Sequence, residues 1–97
     1  MHVPPQVLWL SHNQIGDEGM ISFSGSLSRG TLPQLTFLGL GANHIGDEGM
    51  KSLSEVLGSG ALPALVQLYL QANQIGDDGM VSFSAALGRG GLAKLQV

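Results

Sequence analysis

Six of the seven acidic residues of this chain stand in adjacent pairs, Asp17-Glu18, Asp47-Glu48 and Asp77-Asp78, spaced 30 residues apart. Carboxylates in a row suggest calcium, which prefers oxygen-rich sites. The pairs lack the spaced oxygens and dedicated turn of a calcium loop, so a plainer role is expected: negative charge in the first turn of a helix, where the helix dipole favours it. His12 and His44 are possible metal ligands. In the 30-residue register, however, His12 aligns with Ala42 and Ala72, and His44 with Gln14 and Gln74. With the two imidazoles in different columns and no third ligand at suitable spacing, no metal and no cofactor is expected. Serines are numerous (Ser22, Ser24, Ser26, Ser28, Ser52, Ser54, Ser82, Ser84), but none has the matched base and acid that an activated nucleophile needs. The run Gly88-Arg89-Gly90-Gly91 lacks the Lys-Ser/Thr of a phosphate loop. The expectation is that the chain is not an enzyme.

The elements that carry these residues repeat. Asn13-Gln14-Ile15-Gly16-Asp17-Glu18-Gly19-Met20 returns as Asn43-His44-Ile45-Gly46-Asp47-Glu48-Gly49-Met50, and again as Asn73-Gln74-Ile75-Gly76-Asp77-Asp78-Gly79-Met80. A fixed period across nearly the whole chain predicts stacked units, each packing on its neighbours. Within a unit the hydrophobic period changes. Leu65-x-x-Leu68-x-Leu70 and Leu35-x-x-Leu38-x-Leu40 alternate as strands do, with Leu8 and Leu10 at the same places in the first unit. Met50, Leu53, Val56 and Leu57 then form one helical stripe, repeated by Met20, Phe23 and Leu27 and by Met80, Phe83, Ala86 and Leu87. Gly30, Gly60 and Gly90 stand where left-handed helix caps are wanted. Pro33 and Pro63 keep the helices from resuming. Strands are therefore expected near 6–10, 36–40 and 66–70, and helices near 17–29, 47–58 and 77–88. Because each helix returns the chain for the next strand, the strands should run parallel. The crossover preference makes the winding right-handed.

The pattern Leu65-x-x-Leu68-x-Leu70-x-x-Asn73-x-Ile75-x-x-x-Gly79-x-x-x-Phe83-x-x-x-Leu87 resembles the ribonuclease-inhibitor-like subfamily of leucine-rich repeats. Similar units occur in ribonuclease inhibitor, in the Ran GTPase-activating protein and in NOD-like receptors. The resemblance covers residues 6–95. It implies an α/β fold: a right-handed βα solenoid, a segment of a horseshoe, with a parallel sheet on the concave side and helices on the convex side. It also implies one leucine-rich repeat domain over 1–97, in units of about 6–35, 36–65 and 66–95, without evident terminal caps. The function it implies is a protein–protein interaction scaffold. A GTPase-regulating segment like that of the Ran activator, or a spacer in a larger protein, are the alternatives.

Composition narrows the partner. With a formal net charge of −3, four Lys or Arg in all and no basic cluster, the chain is not expected to bind nucleic acid. No apolar run reaches the length of a bilayer span. The absence of cysteine fits a reducing compartment, and Met1-His2-Val3-Pro4-Pro5 does not read as a secretion signal, so a cytoplasmic location is expected. That leaves another protein as the partner, with self-association expected of an isolated array whose ends are uncapped.

The positions alternating with the buried leucines point to where such a partner sits. Read across the units they form three columns: Val7, Phe37, Gln67; Trp9, Gly39, Tyr69; and Ser11, Gly41, Gln71. Three of the chain's five aromatic residues fall here. The expectation is a partner-binding face made by Trp9, Phe37, Gly39, Gln67, Tyr69 and Gln71. Its centre would be a slot over Gly39 between Trp9 and Tyr69, roughly 9–10 Å across two strand spacings. Asn13, Asn43 and Asn73 are read as a structural ladder instead, since an amide can satisfy backbone groups of two adjacent units.

Overall fold

The alternating leucines become three parallel strands and the helical stripes become three helices, seen in a computed structural model that describes residues 6–88. In chain order these are β1 (Gln6–Trp9), α1 (Gly16–Leu27), β2 (Leu35–Gly39), α2 (Asp47–Ser59), β3 (Gln67–Tyr69) and α3 (Asp77–Leu87). The sheet order is β1-β2-β3. Val7 pairs with Phe37 and Phe37 with Gln67, while Trp9 pairs with Gly39 and Gly39 with Tyr69, so two of the three columns predicted from alternation are the observed register. One irregularity lies between Gln6 and Val7, where Thr36 is skipped and its hydroxyl donates to the Gln6 carbonyl at 3.0 Å. The chain is an α/β repeat fold in which α2 packs between α1 and α3. No described helix is long and apolar enough to cross a membrane.

Between the helices and the sheet lies one apolar core. Its centre is the middle unit: Leu38, Leu40, Ile45, Met50 and Leu53 are fully buried. The flanking units contribute less completely. Leu8, Leu10, Ile15 and Phe23 on one side, and Leu70 and Ile75 on the other, are only partly buried. The stripe expected on α3 divides: Phe83 and Ala86 face α2 and are buried, whereas Met80 and Leu87 are 45% and 37% exposed. Their side of α3 turns away from α2, and no described element covers it.

Helix ends follow the glycines. Gly60 caps α2 with φ +82°, and the Ala61 N–H reaches back to the Val56 carbonyl, which satisfies carbonyls of the last turn. Gly30 takes φ +72° just after α1. Gly90, Leu92 and Leu95 lie outside the described residues. The helices end at Leu27, Ser59 and Leu87, within two residues of the sequence expectation.

The turns between strand and helix hold a feature that composition hides. His12, Gln14, Ala42, His44 and Ala72 all have left-handed backbones, with φ between 54° and 63°. Such a conformation costs an L-residue about 1–2 kcal/mol. The asparagines hold it in place. Asn43, fully buried, accepts at Oδ1 from the Asn13 and Ile15 N–H groups and donates through Nδ2 to the carbonyls of Leu10 and Gly41. Asn73 repeats this one unit on, accepting from Asn43 and Ile45 and donating to Leu40 and Leu70. The side-chain Nδ2 of Asn13 donates, among the described residues, within its own unit, to the carbonyls of Leu10 and Ser11.

Candidate binding surface

The face of the sheet turned away from the helices carries Trp9, Phe37 and Tyr69 as one cluster. Phe37 lies between the other two rings, with centroids 4.3 Å from Trp9 and 4.8 Å from Tyr69. Trp9 and Tyr69 approach edge-on at 6.2 Å. The predicted open slot is therefore closed. A Cβ at Gly39 would lie 2.8 Å from Cε3 of Trp9 and 3.3 Å from Cε1 of Phe37, so glycine here makes room for the indole itself. The physical reason is simple: rings held apart over bare backbone would leave apolar surface in water, and folding Trp9 down onto Gly39 removes it.

The six predicted binding residues thus divide by depth. Trp9 is 62% exposed and lies uppermost. Tyr69 and Gln67 are half-buried and Gln71 is exposed, so all four present side-chain atoms to solvent. Phe37, at 9% exposed, and Gly39 lie beneath them as support. Val7, 53% exposed, extends the apolar surface next to Trp9 along β1. Alternation placed these residues on one face; it could not show that the rings pack together, tilted and edge-on, rather than stand apart.

The paired acids prove to be two unlike rows. Oδ1 of Asp17 accepts from the N–H groups of Gly46 and Gly49 at 2.7 and 3.0 Å, and Asp47 accepts from Gly76 and Gly79 at 2.7 and 3.1 Å. The acids stand in the first turns of their own helices as expected, and Asp17 and Asp47 in addition cap the helix of the following unit. The second acid of each pair points outward. Glu48 meets only Lys51, at 3.4 Å and well exposed, a pair worth little in stability. Gly49 and Gly79 are needed for the approach, since a Cβ there would lie 2.7 and 2.8 Å from the capping oxygen. The sequence signal was the Asp-x-Gly spacing repeated at every turn.

His12 and His44, assigned to different columns, do line one open hollow of about 340 Å³ with Gln14, Ala42 and Ala72. Among the described residues, no three His, Asp or Glu side chains converge as metal ligands would. Ser24 and Ser54 are buried on the helical side, and their hydroxyls have no partner among the described residues.

A parallel sheet backed by helices in strict alternation, with asparagine at every strand-to-helix turn, defines a β/α repeat protein. The Leucine Rich repeat family model matches residues 6–24, 32–54 and 62–84, and the chain belongs to that family. No curated protein matches the chain. Leucine-rich repeats are generally protein-interaction modules and non-enzymatic scaffolds.

Proposed function

We propose that this chain is a protein–protein interaction scaffold that holds its partner on the sheet face, with Trp9 and Tyr69 as anchors and Gln67 and Gln71 as polar contacts at the margin. The observation that carries the reading is the three-ring cluster on a face that no described helix covers. Parallel sheets are usually covered on both sides, and Trp and Tyr dominate interface energetics because they bury large area with few rotors to fix. Phe37 and Gly39 act from below by fixing the indole before the partner arrives, which lowers the ordering cost of binding. The Leu-x-x-Leu-x-Leu-x-x-Asn units favour the ribonuclease-inhibitor-like subfamily. In that reading the array is a right-handed solenoid of three units, about 6–35, 36–65 and 66–95 within a domain of 1–97, and the aromatic face is the concave side of a horseshoe segment.

The test is comparative capture on immobilised chain. Proteins retained by the wild type should be lost with Trp9→Ser and with Tyr69→Ser, yet kept by Val81→Lys on the opposite, helical side, where Val81 is 67% exposed. Each aromatic truncation should weaken binding by about 2 kcal/mol or more if these rings are hot spots. Retention that is equal across all four chains would place binding elsewhere.

A further inference from the structure

The two glycines of the sheet face are used differently. The place a side chain would take at Gly39 is filled by the Trp9 indole, 2.8 Å from an added Cβ. At Gly41, two residues further along the same face, no ring has moved in. The three nearest atoms there are all oxygens: the Gln71 carbonyl at 3.3 Å, the Ser11 hydroxyl at 3.7 Å and the Gln71 side-chain oxygen at 3.9 Å from an added Cβ. The ladder continues past the strands to hold them. The His12 N–H donates to the Gly41 carbonyl at 3.0 Å and the Ala42 N–H to the Gln71 carbonyl at 2.8 Å, so Ser11 and Gln71 flank Gly41 from the units on either side. The Gln71 carbonyl keeps a second lone pair beyond the one that Ala42 uses. Gly41 is not among the glycines with left-handed backbones, so no turn conformation demands glycine here. What the missing side chain leaves is a small oxygen-lined cradle in the middle unit, between two described units.

We propose that this cradle takes the ammonium of a lysine on the partner protein, with the lysine's apolar stem lying across Tyr69 and Trp9. The assignment deepens the function proposed above and rests on the sheet face being the docking face. The oxygens select the group: each can accept a hydrogen bond, and a lysine ammonium offers three donors and no acceptor. They approach from both sides of Gly41, which suits a compact ammonium better than the planar fork of a guanidinium. The rings select the stem. Two residues back along the strands, about 7 Å away, stand Trp9, 62% exposed, and the half-buried Tyr69. Lysine buries its four-carbon stem on such surface while its charge stays in a polar place, and aromatic rings attract the cation itself. The charge of the protein agrees. Six of the seven acids lie in the first turns of the helices, which begin at the end of the sheet where Gly41 sits. Among the described residues the permanent cations are Arg29, beyond the far end of α1, and Lys51, which meets Glu48. A partner's lysine is therefore drawn toward this end of the face, and an acidic side chain is not.

Titration of the 97-residue chain with Nα-acetyl-lysine amide, followed by amide resonances, tests this, with circular dichroism confirming that each variant is folded. The norleucine analogue supplies the stem without the ammonium, and the arginine analogue supplies the other cation. Lysine should bind roughly tenfold more tightly than norleucine and several-fold more tightly than arginine. It should move the Gly41 amide and the Gln71 side-chain amide, and its advantage should shrink as salt is added. Norleucine should move only the signals of Trp9 and Tyr69. Gly41→Ala puts a methyl into the cradle and should bring lysine down to the norleucine level. If that variant fails to fold, Gln71→Met, at an exposed position, removes the side-chain oxygen and takes its place. Gln71→Glu should raise the lysine preference several-fold. Equal binding of lysine and norleucine, tighter binding of arginine, or a lysine preference that survives the substitution would overturn the proposal. The two readings fail separately. Captured proteins lost with Trp9→Ser and Tyr69→Ser, but no preference for lysine, would keep the docking face and sink the ammonium site. A lysine preference abolished by Gly41→Ala, with capture indifferent to both ring truncations, would keep the ammonium site and sink the rings as anchors.

Discussion

Two turns of nearly identical sequence adopt different backbones. Asn13–Met20 and Asn43–Met50 differ only in Gln14 against His44. Yet Gly16 has φ +68° and already belongs to its helix, while Gly46 is extended, at φ −104° and ψ −159°, and precedes its helix. Gly76, in the third unit, matches Gly46 with φ −100° and ψ −160°. The difference is the neighbour. Gly46 and Gly76 each donate to an aspartate of the unit before, and the Gly16 N–H donates instead to the Asn43 carbonyl of the unit after. In this chain the cap of a helix is supplied in trans by the adjacent repeat. A local segment therefore does not fix its own conformation; its place in the stack does.

The strongest way to break that dependence is to remove the buried amide. Asn43→Ala would orphan the N–H groups of Asn13 and Ile15 and remove one of two donors from the carbonyls of Leu10 and Gly41, together with the left-handed turn they hold. Leaving buried polar groups unsatisfied costs about 1–3 kcal/mol each, so a loss of about 3 kcal/mol is expected in urea unfolding. Asn13→Ala, whose amide bonds are exposed and local, should cost under about 1 kcal/mol. Equal losses at the two positions would mean that the ladder is not the coupling element.

The aspartates sharpen the comparison at lower energy. Asp17→Ala should cost about 1 kcal/mol, the usual worth of an N-terminal cap. It should also move the amide resonances of Gly46 and Gly49 more than those of Gly16 and Gly19, because the carboxylate acts on the following unit. A larger perturbation of Gly16 than of Gly46 in Asp17→Ala would restore the simpler view of an acid serving its own helix.

Much of this architecture was legible in the sequence, and what escaped shares one cause. The 30-residue recurrence placed Asn43 against Asn73, and the alternation of Leu35, Leu38 and Leu40 placed Phe37 and Gly39 on the face opposite the core. Both are periodic facts, and periodicity survives in one dimension. The capping role of Asp17 and the collapse of Trp9 onto Gly39 are contacts between units. The sequence shows which residues share a column there, but not how far a side chain leans along it. Glycine at 39 was read as an absence that opens a space. In the fold it is a hole already filled by the residue one strand away, because an aromatic surface beside an empty floor has apolar area to bury.

The same question decides the smallest effect, at one glycine in the last turn of α1 and one in the first turn of α2. A Cβ at Gly25 meets nothing within 4 Å, whereas one at Gly49 meets Asp17 Oδ1 at 2.7 Å, Ile45 Cγ2 at 3.1 Å and Met20 Cβ at 3.1 Å. Both glycines lie in helices, where alanine is intrinsically favoured by about 0.5–1 kcal/mol. At Gly25 nothing opposes that preference, so Gly25→Ala should stabilise the chain by about 0.5–1 kcal/mol and raise the melting temperature by a few degrees. At Gly49 the added methyl must displace the capping carboxylate, so Gly49→Ala should destabilise despite the same propensity gain. Thermal unfolding of the two variants separates the contributions, since propensity is common to both and only Gly49 touches the preceding unit. If both substitutions stabilise alike, the approach of Asp17 to Gly49 is not under steric control, and glycine stands at that position for another reason.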